Sequence, residues 1–443
     1  MTNDSKKIGL LSCIMILVGG MVGSAIFSLS GVTYAAAGPA VIITWILGGI
    51  ILLLYGLETA ELCTIYPKSG GIFVFPYEAL GKTENAKTFW GWLASWSYLN
   101  VCIFGAGFSA IYIAQYLGVA WPFFSNIVLW AVIAVVLVTV LCLFNISVAG
   151  VANIILVAGI IILCLIYAFS GFGSFNPANY SPFFTQGAQG GAGFIGQIPV
   201  SMLAFGAIVA VAYMVQQVKD PKKTVPKSMI ISMIITIALY VIILVATVGM
   251  VAASFYIENP GMQYIPLFAA AWTVLYNLPW LPGVISIAAT LALLSTMLVL
   301  VMNGAWTLQA AAEYKLLPKF IAKINPKTGT PIAAVLIVGI VTLIFALFPD
   351  LTSVMTNTGA IANALCVVII SIALLKARKG HEYQPGDFRL KGGAFLPILT
   401  IVLILVFICP VVFQPLSYWY WMIGWMAVGI ILMFIFRAVN KNK

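Results

Sequence analysis

Long apolar segments recur along almost the whole chain, and they constrain its fold more than any other feature. A helix needs about 20 mostly apolar residues to cross a bilayer. Twelve candidate runs meet this requirement, near residues 8–35, 39–63, 88–118, 122–144, 147–171, 191–217, 227–253, 280–312, 331–348, 352–376, 394–414 and 416–438. Only 7% of the 443 residues are charged, whereas a soluble domain carries roughly 25%. The sequence therefore predicts an all-α integral membrane protein and excludes a soluble enzyme, a disordered chain and a disulfide-stapled module.

The distribution of basic residues predicts how the helices are oriented. With twelve spans, all 21 Lys and Arg residues fall in the termini and in the even-numbered connections, on one side of the membrane. Basic residues concentrate on the cytoplasmic side, so both termini are predicted to be cytoplasmic. Lys6 and Lys7 mimic the basic start of a signal peptide, but the eleven further spans and the lack of a clear cleavage signal favour a retained helix. The net charge of +10 is then a topology signal that can also meet anionic lipid, and nucleic acid is not expected as a partner.

The connections are short, so residues 1–443 are predicted to form one transmembrane domain. The longest connections on the opposite side, 172–190 and 254–279, are predicted to be loops with a single charge, Glu258. The seven cysteines show no metal-ligand spacing, and His381 is the only histidine. No metal site and no cofactor are therefore predicted.

The first run contains three glycines within Gly19–Ala25, at mid-depth in the membrane. Each interior glycine costs a helix roughly 1 kcal/mol relative to alanine. Clustered glycines indicate either close packing of helices or a broken helix whose free N–H and C=O groups line a cavity. The run at 191–217, five spans later, is predicted to be interrupted at Phe205–Ala207. Paired interruptions in corresponding spans are typical of transporters built from inverted repeats.

Few charged side chains lie inside the runs, and none lies in the central portion of any of them. Glu58 and Glu61 share one face of the second run, near its cytoplasmic end, and are predicted to act in structural pairing or gating, with a loop lysine as a possible partner and substrate contact as the alternative. Ser295 and Thr296 are adjacent hydroxyls in the eighth run. They either bond back to their own helix or supply hard oxygen ligands to a small cation.

Several motifs resemble those of the amino acid–polyamine–organocation transporter family. The stretch Gly23–Phe27 resembles the family's Gly-Ser-Gly-Ile-Phe, and Ala60–Leu62 with Tyr66–Gly71 resembles its Ala-Glu-Leu and Pro-x-Ser-Gly-Gly signature. Lys219–Pro226 resembles its loop after the sixth helix, and Leu316–Pro318 with Thr330–Pro331 its loop after the eighth. These motifs occur in the family's order over residues 8–440.

The resemblance implies a leucine-transporter-like fold and alternating access around a site between helices 1 and 6. Two inverted five-helix repeats would cover about 8–171 and 191–376, and two extra helices about 394–438. A substrate carboxylate would meet backbone N–H groups near Gly23, Ser24 and Ala25, and its ammonium would meet carbonyls near Met21, Leu203 and Gly206. Phe205 would take the place of an aromatic lid. A sodium site would lie at Gly19, Val22, Ser295 and Thr296.

Three departures from the family pattern bear on mechanism. Ala25 replaces the third glycine of the motif, Val209 stands where many members have a glutamate, and the fifth run contains no lysine. Proton coupling through that lysine is therefore not supported, while sodium symport and exchange remain open.

The function predicted from these features is secondary transport of a small neutral amino acid or similar zwitterion across the cell membrane, by a monomer or homodimer. The coupling ion would be Na⁺ or H⁺. An antiporter that exchanges an amino acid for its amine or a polyamine is the main alternative. A channel or an integral-membrane enzyme would be an alternative of another class, and no nucleophile or metal constellation supports an enzyme.

Overall fold

The computed structural model describes residues 7–68, 70–144, 151–409 and 416–441. Apart from an isolated β-bridge between Ile8 and Val218, these ranges contain no strand, which agrees with the predicted all-α class. Lys6, Ser69, Lys443 and the parts of the predicted runs at 147–150 and 410–414 lie outside the described residues.

The α-helices are α1 (Leu10–Met21), α2 (Ser24–Ala37), α3 (Val41–Ile65), α4 (Gly71–Ala79), α5 (Glu84–Ala120), α6 (Ile127–Leu143), α7 (Val151–Phe172), α8 (Gly190–Gly196), α9 (Ile198–Met202), α10 (Pro221–Met250), α11 (Ala253–Glu258), α12 (Pro266–Val274), α13 (Leu281–Glu313), α14 (Ile332–Ala346), α15 (Thr352–Ala377), α16 (Phe395–Ile408) and α17 (Leu416–Lys441). The 3-10 helices are Gly38–Ala40, Pro122–Phe124, Pro177–Tyr180, Leu203–Gln217, Pro260–Tyr264 and Pro349–Leu351.

Eight helical segments in the described ranges are long and apolar enough to cross a membrane: Ala25–Ile65, Glu84–Ala120, Ile154–Phe172, Gly190–Gln217, Pro221–Met250, Leu281–Glu313, Pro349–Ala377 and Leu416–Arg437. Four shorter apolar helices, α1, α6, α14 and α16, accompany them. Together these segments support a multi-pass membrane protein. The connections predicted to be loops differ from expectation, because they contain α11, α12 and two of the 3-10 helices.

Helix α6 shows how the periphery of the molecule packs. Its buried positions carry mostly small side chains, at Ala131, Ala134, Val138 and Cys142, while bulky ones such as Leu137 are exposed. Lipid is as apolar as leucine, so helices in a bilayer associate through small residues that allow close approach. In an amphipathic helix of a soluble protein, the bulky apolar side chains are the buried ones. Their exposure on α6 indicates an outer surface that faces lipid.

Helix α5 occupies the centre. Every residue from Ala94 to Ala114 is buried, and the helix packs along α13 and α15. These three helices, together with the first and sixth apolar segments, surround the cavity described below.

Candidate functional site

The first apolar segment is broken at the predicted place. Helix α1 ends at Met21 and α2 begins at Ser24, and the residues between them are non-helical, with φ −78° and ψ 63° at Val22 and φ −137° and ψ −109° at Gly23. No side chain caps α2. The N–H groups of its first turn, including those of Ser24 and Ala25, therefore have no acceptor within the helix, and the helix dipole makes this end attractive to an anion.

Gly23 is required by the packing of this break against α13. A Cβ at this position would lie 1.5 Å from Thr296 Oγ1 and 2.7 Å from the carbonyl oxygen of Ala292. Gly20 is also constrained, because its Cβ would lie 2.8 Å from the Cβ of Ala207. The two interpretations of the glycine cluster, close packing and a broken helix, thus both describe this segment.

The last carbonyls of α1 are partly occupied by side-chain donors. Ser295 Oγ donates to the Gly19 carbonyl at 3.5 Å, and Thr296 Oγ1 donates to the Gly20 carbonyl at 3.3 Å. The predicted ion-site residues Gly19, Ser295 and Thr296 therefore come together. The Gly20 carbonyl, which was not predicted, joins this group, and the predicted Val22 lies in the break.

The Met21 carbonyl, predicted to meet a substrate ammonium, accepts a hydrogen bond from Tyr240 Oη. A carbonyl oxygen has two lone pairs, so this bond orients Met21 and leaves one acceptor position. Tyr240 belongs to α10 and is fully buried, which ties the end of α1 to that helix.

The sixth segment is not broken like the first. Helix α9 ends at Met202 and continues from Leu203 as a 3-10 helix, in which only Met214 (φ −117°, ψ 25°) departs from helical geometry. The interruption predicted at Phe205–Ala207 thus takes the form of a tighter helix. A 3-10 helix has three residues per turn, so Leu203 and Gly206 share one face, and both line the central cavity.

Phe205 lies on the other side of this helix. It is fully buried, with ring-centroid distances of 6.4 Å to Trp45 and 5.3 Å to Tyr240. It does not line the cavity, in contrast to its predicted position as an aromatic lid, because the 3-10 geometry points it towards α3 and α10.

The cavity at the break has a volume of about 30 Å³, which is room for about two water molecules and well below the roughly 300–1,000 Å³ of a small-molecule site. A substrate would therefore bind here only after the surrounding helices move apart. The cavity contains no charged side chain among the residues that line it. They are Gly20, Met21, Ala25, Val101, Gly105, Phe108, Leu203, Ala204, Gly206, Ala207, Thr296, Leu300, Met355 and Gly359. The polar groups available to a ligand are therefore mainly the backbone groups at the helix break and the Thr296 hydroxyl.

Six lining residues on α5, α13 and α15 were not predicted from the sequence: Val101, Gly105, Phe108, Leu300, Met355 and Gly359. They are ordinary apolar or glycine residues of long helices, and no motif distinguishes them. Their role depends on which helix faces the break. The small residues at 105–107 of α5 are the only local signal, since they permit close approach between helices.

A second, wider space lies next to the cavity and has a volume of about 290 Å³. It is lined by uncharged polar side chains, including Gln197, Gln263, Thr356 and Asn357. Leu29 of α2 and Thr356 of α15 lie one turn or less from Ala25 and Met355 of the cavity. The wider space is therefore a vestibule that leads away from the lysine-rich loops.

Neither Glu58 nor Glu61 lines the central cavity or the wider space beside it. Both Glu61 carboxylate oxygens pair with Arg378, at 2.7 and 2.6 Å. Glu61 also accepts bonds from Tyr383 Oη at 2.5 Å and the Leu390 N–H at 2.8 Å. The partner is thus an arginine at the end of α15, not the expected loop lysine, and the bidentate pair fits Arg geometry.

This pair holds the connection after α15 in place. Glu61 raises the pKa of Arg378, while burial and the Glu61 carboxylate raise the pKa of Tyr383 to about 12. Asp387 pairs with Lys222 at the start of α10, at 2.6 Å, and this bond lowers the pKa of Asp387. The connection is therefore bound to both α3 and α10, which supports the structural side of the prediction for Glu61.

Comparison with known proteins adds to this geometry. The family model described as amino acid permease matches residues 8–436. The chain belongs to the amino acid permease family. It is a membrane transporter and not an enzyme, in agreement with the resemblance recognised in its motifs.

Individual relatives are distant and diverse. The branched-chain amino acid permease BcaP of Bacillus subtilis (strain 168) is 24% identical, over 99% of this chain and 94% of the relative. The methylthioribose transporter of the same organism is 25% identical, over 96% and 92%. The chloroplastic cationic amino acid transporter 7 of Arabidopsis thaliana is 25% identical, over 82% and 63%. These permease relatives support amino acid transport, and their different named substrates leave the substrate of this chain to its own site.

Proposed function

We propose that this permease carries a small neutral amino acid, or a similar zwitterion, across the cell membrane by alternating access. The observation that carries the proposal is the uncapped N-terminus of α2, which opens into a cavity without charged side chains. A zwitterion brings both of its charges with it and needs only backbone dipoles to bind. A dibasic or acidic substrate would lack a countercharge there.

The substrate carboxylate would accept hydrogen bonds from N–H groups of Ser24 and Ala25. Its ammonium would donate to carbonyls of Leu203 and Gly206, with Met21 contributing its remaining lone pair. The substrate side chain would pack against Val101, Phe108 and Met355, which favours an apolar group. The methyl group of Ala25 limits the space beside the carboxylate.

The coupling ion is proposed to bind between α1 and α13. Two carbonyls, of Gly19 and Gly20, and two hydroxyls, of Ser295 and Thr296, approach each other there, and hard oxygen ligands suit Na⁺. The Val22 carbonyl, in the break next to α1, is proposed as a further ligand. Coupling to H⁺ remains the alternative.

The proposed architecture has twelve spans, with repeats at about 8–171 and 191–376 and extra helices at about 394–438. Eight long and four shorter apolar helices support this count. The lysine-rich loops and both termini would face the cytoplasm, so the polar vestibule would open outward. A monomer would contain the complete site, and a homodimer would leave it unchanged.

The proposal is tested by counterflow of labelled neutral amino acids into proteoliposomes of the purified protein, first with sodium and then with choline outside. Saturable counterflow is expected for one or more small neutral members of the panel. No counterflow with any amino acid would reject the substrate class.

A double variant tests the ion site. Ser295→Ala with Thr296→Ala is expected to remove any sodium dependence of counterflow, because it removes both hydroxyl ligands. Ser286→Ala, elsewhere on α13 and away from α1, is the matched control and should keep that dependence. Unchanged sodium dependence in the double variant would reject the site.

A further inference from the structure

A column of buried polar side chains follows the interface between α3 and α15. We call it the α3–α15 column, and it consists of Tyr55, Glu58 and Glu61 on α3 and Asn363, Ser371 and Arg378 on α15. Members on the same helix recur after three to eight residues, a spacing that keeps them near one helix face. Asn363 comes four residues after Gly359, which lines the central cavity. The column therefore leads from the cavity to the end of the molecule where the basic loops lie.

The two glutamates of this column have different surroundings. Glu61 accepts hydrogen bonds from charged and neutral donors, including Nε and Nη2 of Arg378. Glu58 is fully buried and is contacted by two hydroxyls, Ser371 Oγ at 2.5 Å and Thr400 Oγ1 at 2.7 Å. Within the described ranges no basic side chain lies within 4.0 Å of Glu58.

The two hydroxyls that contact Glu58 lie close to more acceptor atoms than they have protons. Ser371 Oγ also lies 3.0 Å from the Val367 carbonyl, and Thr400 Oγ1 lies 3.0 Å from the Leu396 carbonyl. Two hydroxyl protons thus face four acceptor atoms when Glu58 is ionised. When Glu58 carries a proton, it donates to Ser371, Ser371 donates to its own helix, and Thr400 donates to the other carboxyl oxygen.

The part of the column between Glu58 and the central cavity contains polar atoms that lack hydrogen-bond partners. Tyr55 Oη and both amide atoms of Asn363 have no hydrogen-bond partner among the described residues, although both side chains are buried. Buried polar groups are normally satisfied. Tyr55 and Asn363 are therefore places where an ordered water molecule would find hydrogen-bond partners.

We propose that Glu58 is a proton-binding site, which takes up and releases one proton during the transport cycle. The proton would move along the α3–α15 column, between the central cavity and the end held by Glu61. Because Glu58 bonds to α15 through Ser371 and to α16 through Thr400, its protonation state changes how three helices are joined. The proposal has two parts: that Glu58 binds a proton, and that this proton is coupled to transport. Only the second part rests on the proposed transport function.

The other ionisable groups near Glu58 are accounted for. On α3 they are Tyr55, Glu61 and the Cys63 thiol. On α15 the Cys366 thiol donates to the Ala94 carbonyl, and the nearest charge, Arg378 directly after α15, is held by Glu61. Helix α16 has no ionisable residue, and neither has α9. The other helices packed on α3 carry ionisable groups that are bonded to other residues or exposed. Tyr213 stacks on Tyr98, Tyr240 bonds to Met21 and Tyr34 to Val251. Tyr77 bonds to Glu84, Lys222 pairs with Asp387 and Glu78 with Lys68, while Lys223 and Lys227 are exposed.

The test is an infrared pH titration of the purified protein, in which a protonated carboxyl group gives its own C=O band. Wild type is expected to show a buried carboxyl band, and Glu58→Gln to lack it. Glu258→Gln, at an exposed glutamate of α11, is the matched control and should keep it. Ser371→Ala should shift the band and its titration midpoint, so the assignment can be decided even if Glu58→Gln does not fold. A band unchanged in Glu58→Gln, or in Ser371→Ala, would overturn the proposal.

Transport measurements then test whether proton binding at Glu58 is coupled to substrate movement. Accumulation driven by a pH gradient should be lost in Glu58→Gln, and counterflow should become independent of pH, because glutamine cannot titrate. A Glu58→Gln variant that keeps the wild-type pH profile would overturn the coupling role. If wild type shows no amino acid counterflow while the infrared band behaves as expected, the proposed substrate class fails and the proton site stands.

Discussion

The first and sixth apolar segments both contribute backbone to the central cavity, yet they reach it differently. The first is interrupted by two non-helical residues between α1 and α2. The sixth stays helical and tightens into a 3-10 helix from Leu203. Glycine marks both places, but an added Cβ at Gly23 would collide with α13, whereas one at Gly206 would meet no atom within 4 Å. Glycine in the first segment therefore serves packing and the break, and glycine in the sixth leaves space for a ligand.

The largest loss of transport and of thermal stability is expected from Gly23→Leu. Its side chain would collide with the Thr296 side chain and the Ala292 carbonyl, so the break could not stay packed on α13. Overpacking of this kind costs about 1–3 kcal/mol. We expect counterflow to be lost and the Tm of the detergent-purified protein to fall.

Gly424→Leu is the control for this prediction. An added Cβ at Gly424 of α17 would have no neighbour within 4 Å, so this variant should keep both counterflow and Tm. Normal counterflow by Gly23→Leu would show that the first segment does not need glycine at position 23 for its break, and so would contradict the difference drawn between the two segments.

Gly206→Val is expected to weaken binding of large substrates more than binding of small ones. An added Cβ at Gly206 would meet no atom within 4 Å, so the Tm should fall much less than in Gly23→Leu. The space for the substrate side chain would shrink, and a change of one methylene in an apolar pocket is worth about 1–3 kcal/mol. Competition by leucine should therefore weaken at least about tenfold, and competition by alanine should weaken less.

This prediction is measured by titrating unlabelled leucine and alanine against counterflow of a labelled substrate. An equal loss for both competitors, together with a Tm as low as that of Gly23→Leu, would show that Gly206 is a packing residue like Gly23.

The smallest change in transport is expected from Phe205→Leu. Phe205 packs against Trp45 and Tyr240 behind the cavity, and aromatic pairs contribute about 0.5–1.5 kcal/mol beyond their buried area. The Tm should fall modestly while the KM for transport stays unchanged. A large change in KM at an unchanged Tm would place Phe205 in contact with substrate and restore its expected role as a lid.

Features that depend on local sequence were predicted well. The membrane character follows from the apolar runs, and the break of the first segment follows from its glycines, because both are properties of a single stretch of chain. Apart from Thr296, the residues that line the cavity on α5, α13 and α15 could not be predicted in this way. Phe108, Leu300 and Met355 resemble their neighbours in sequence and differ only in which helix they face.

Long-range partners were beyond sequence reasoning for the same reason. The sequence showed that Glu61 needs a partner, but Arg378 lies 317 positions away and only the packing of α3 against α15 brings the two together. The 3-10 form of the sixth segment was also hidden, since Leu203–Gln217 has no composition that separates it from an α-helix.

The central claim is that the first turn of α2 binds the carboxylate of an amino acid. It is tested most directly by competition, using each amino acid that supports counterflow and its amide, which has the same side chain and ammonium but no carboxylate. The amino acid should compete and its amide should lose most of its inhibition, because an uncharged amide gains little from the helix N-terminus. An amide that competes as well as its parent amino acid would contradict carboxylate binding at Ser24 and Ala25.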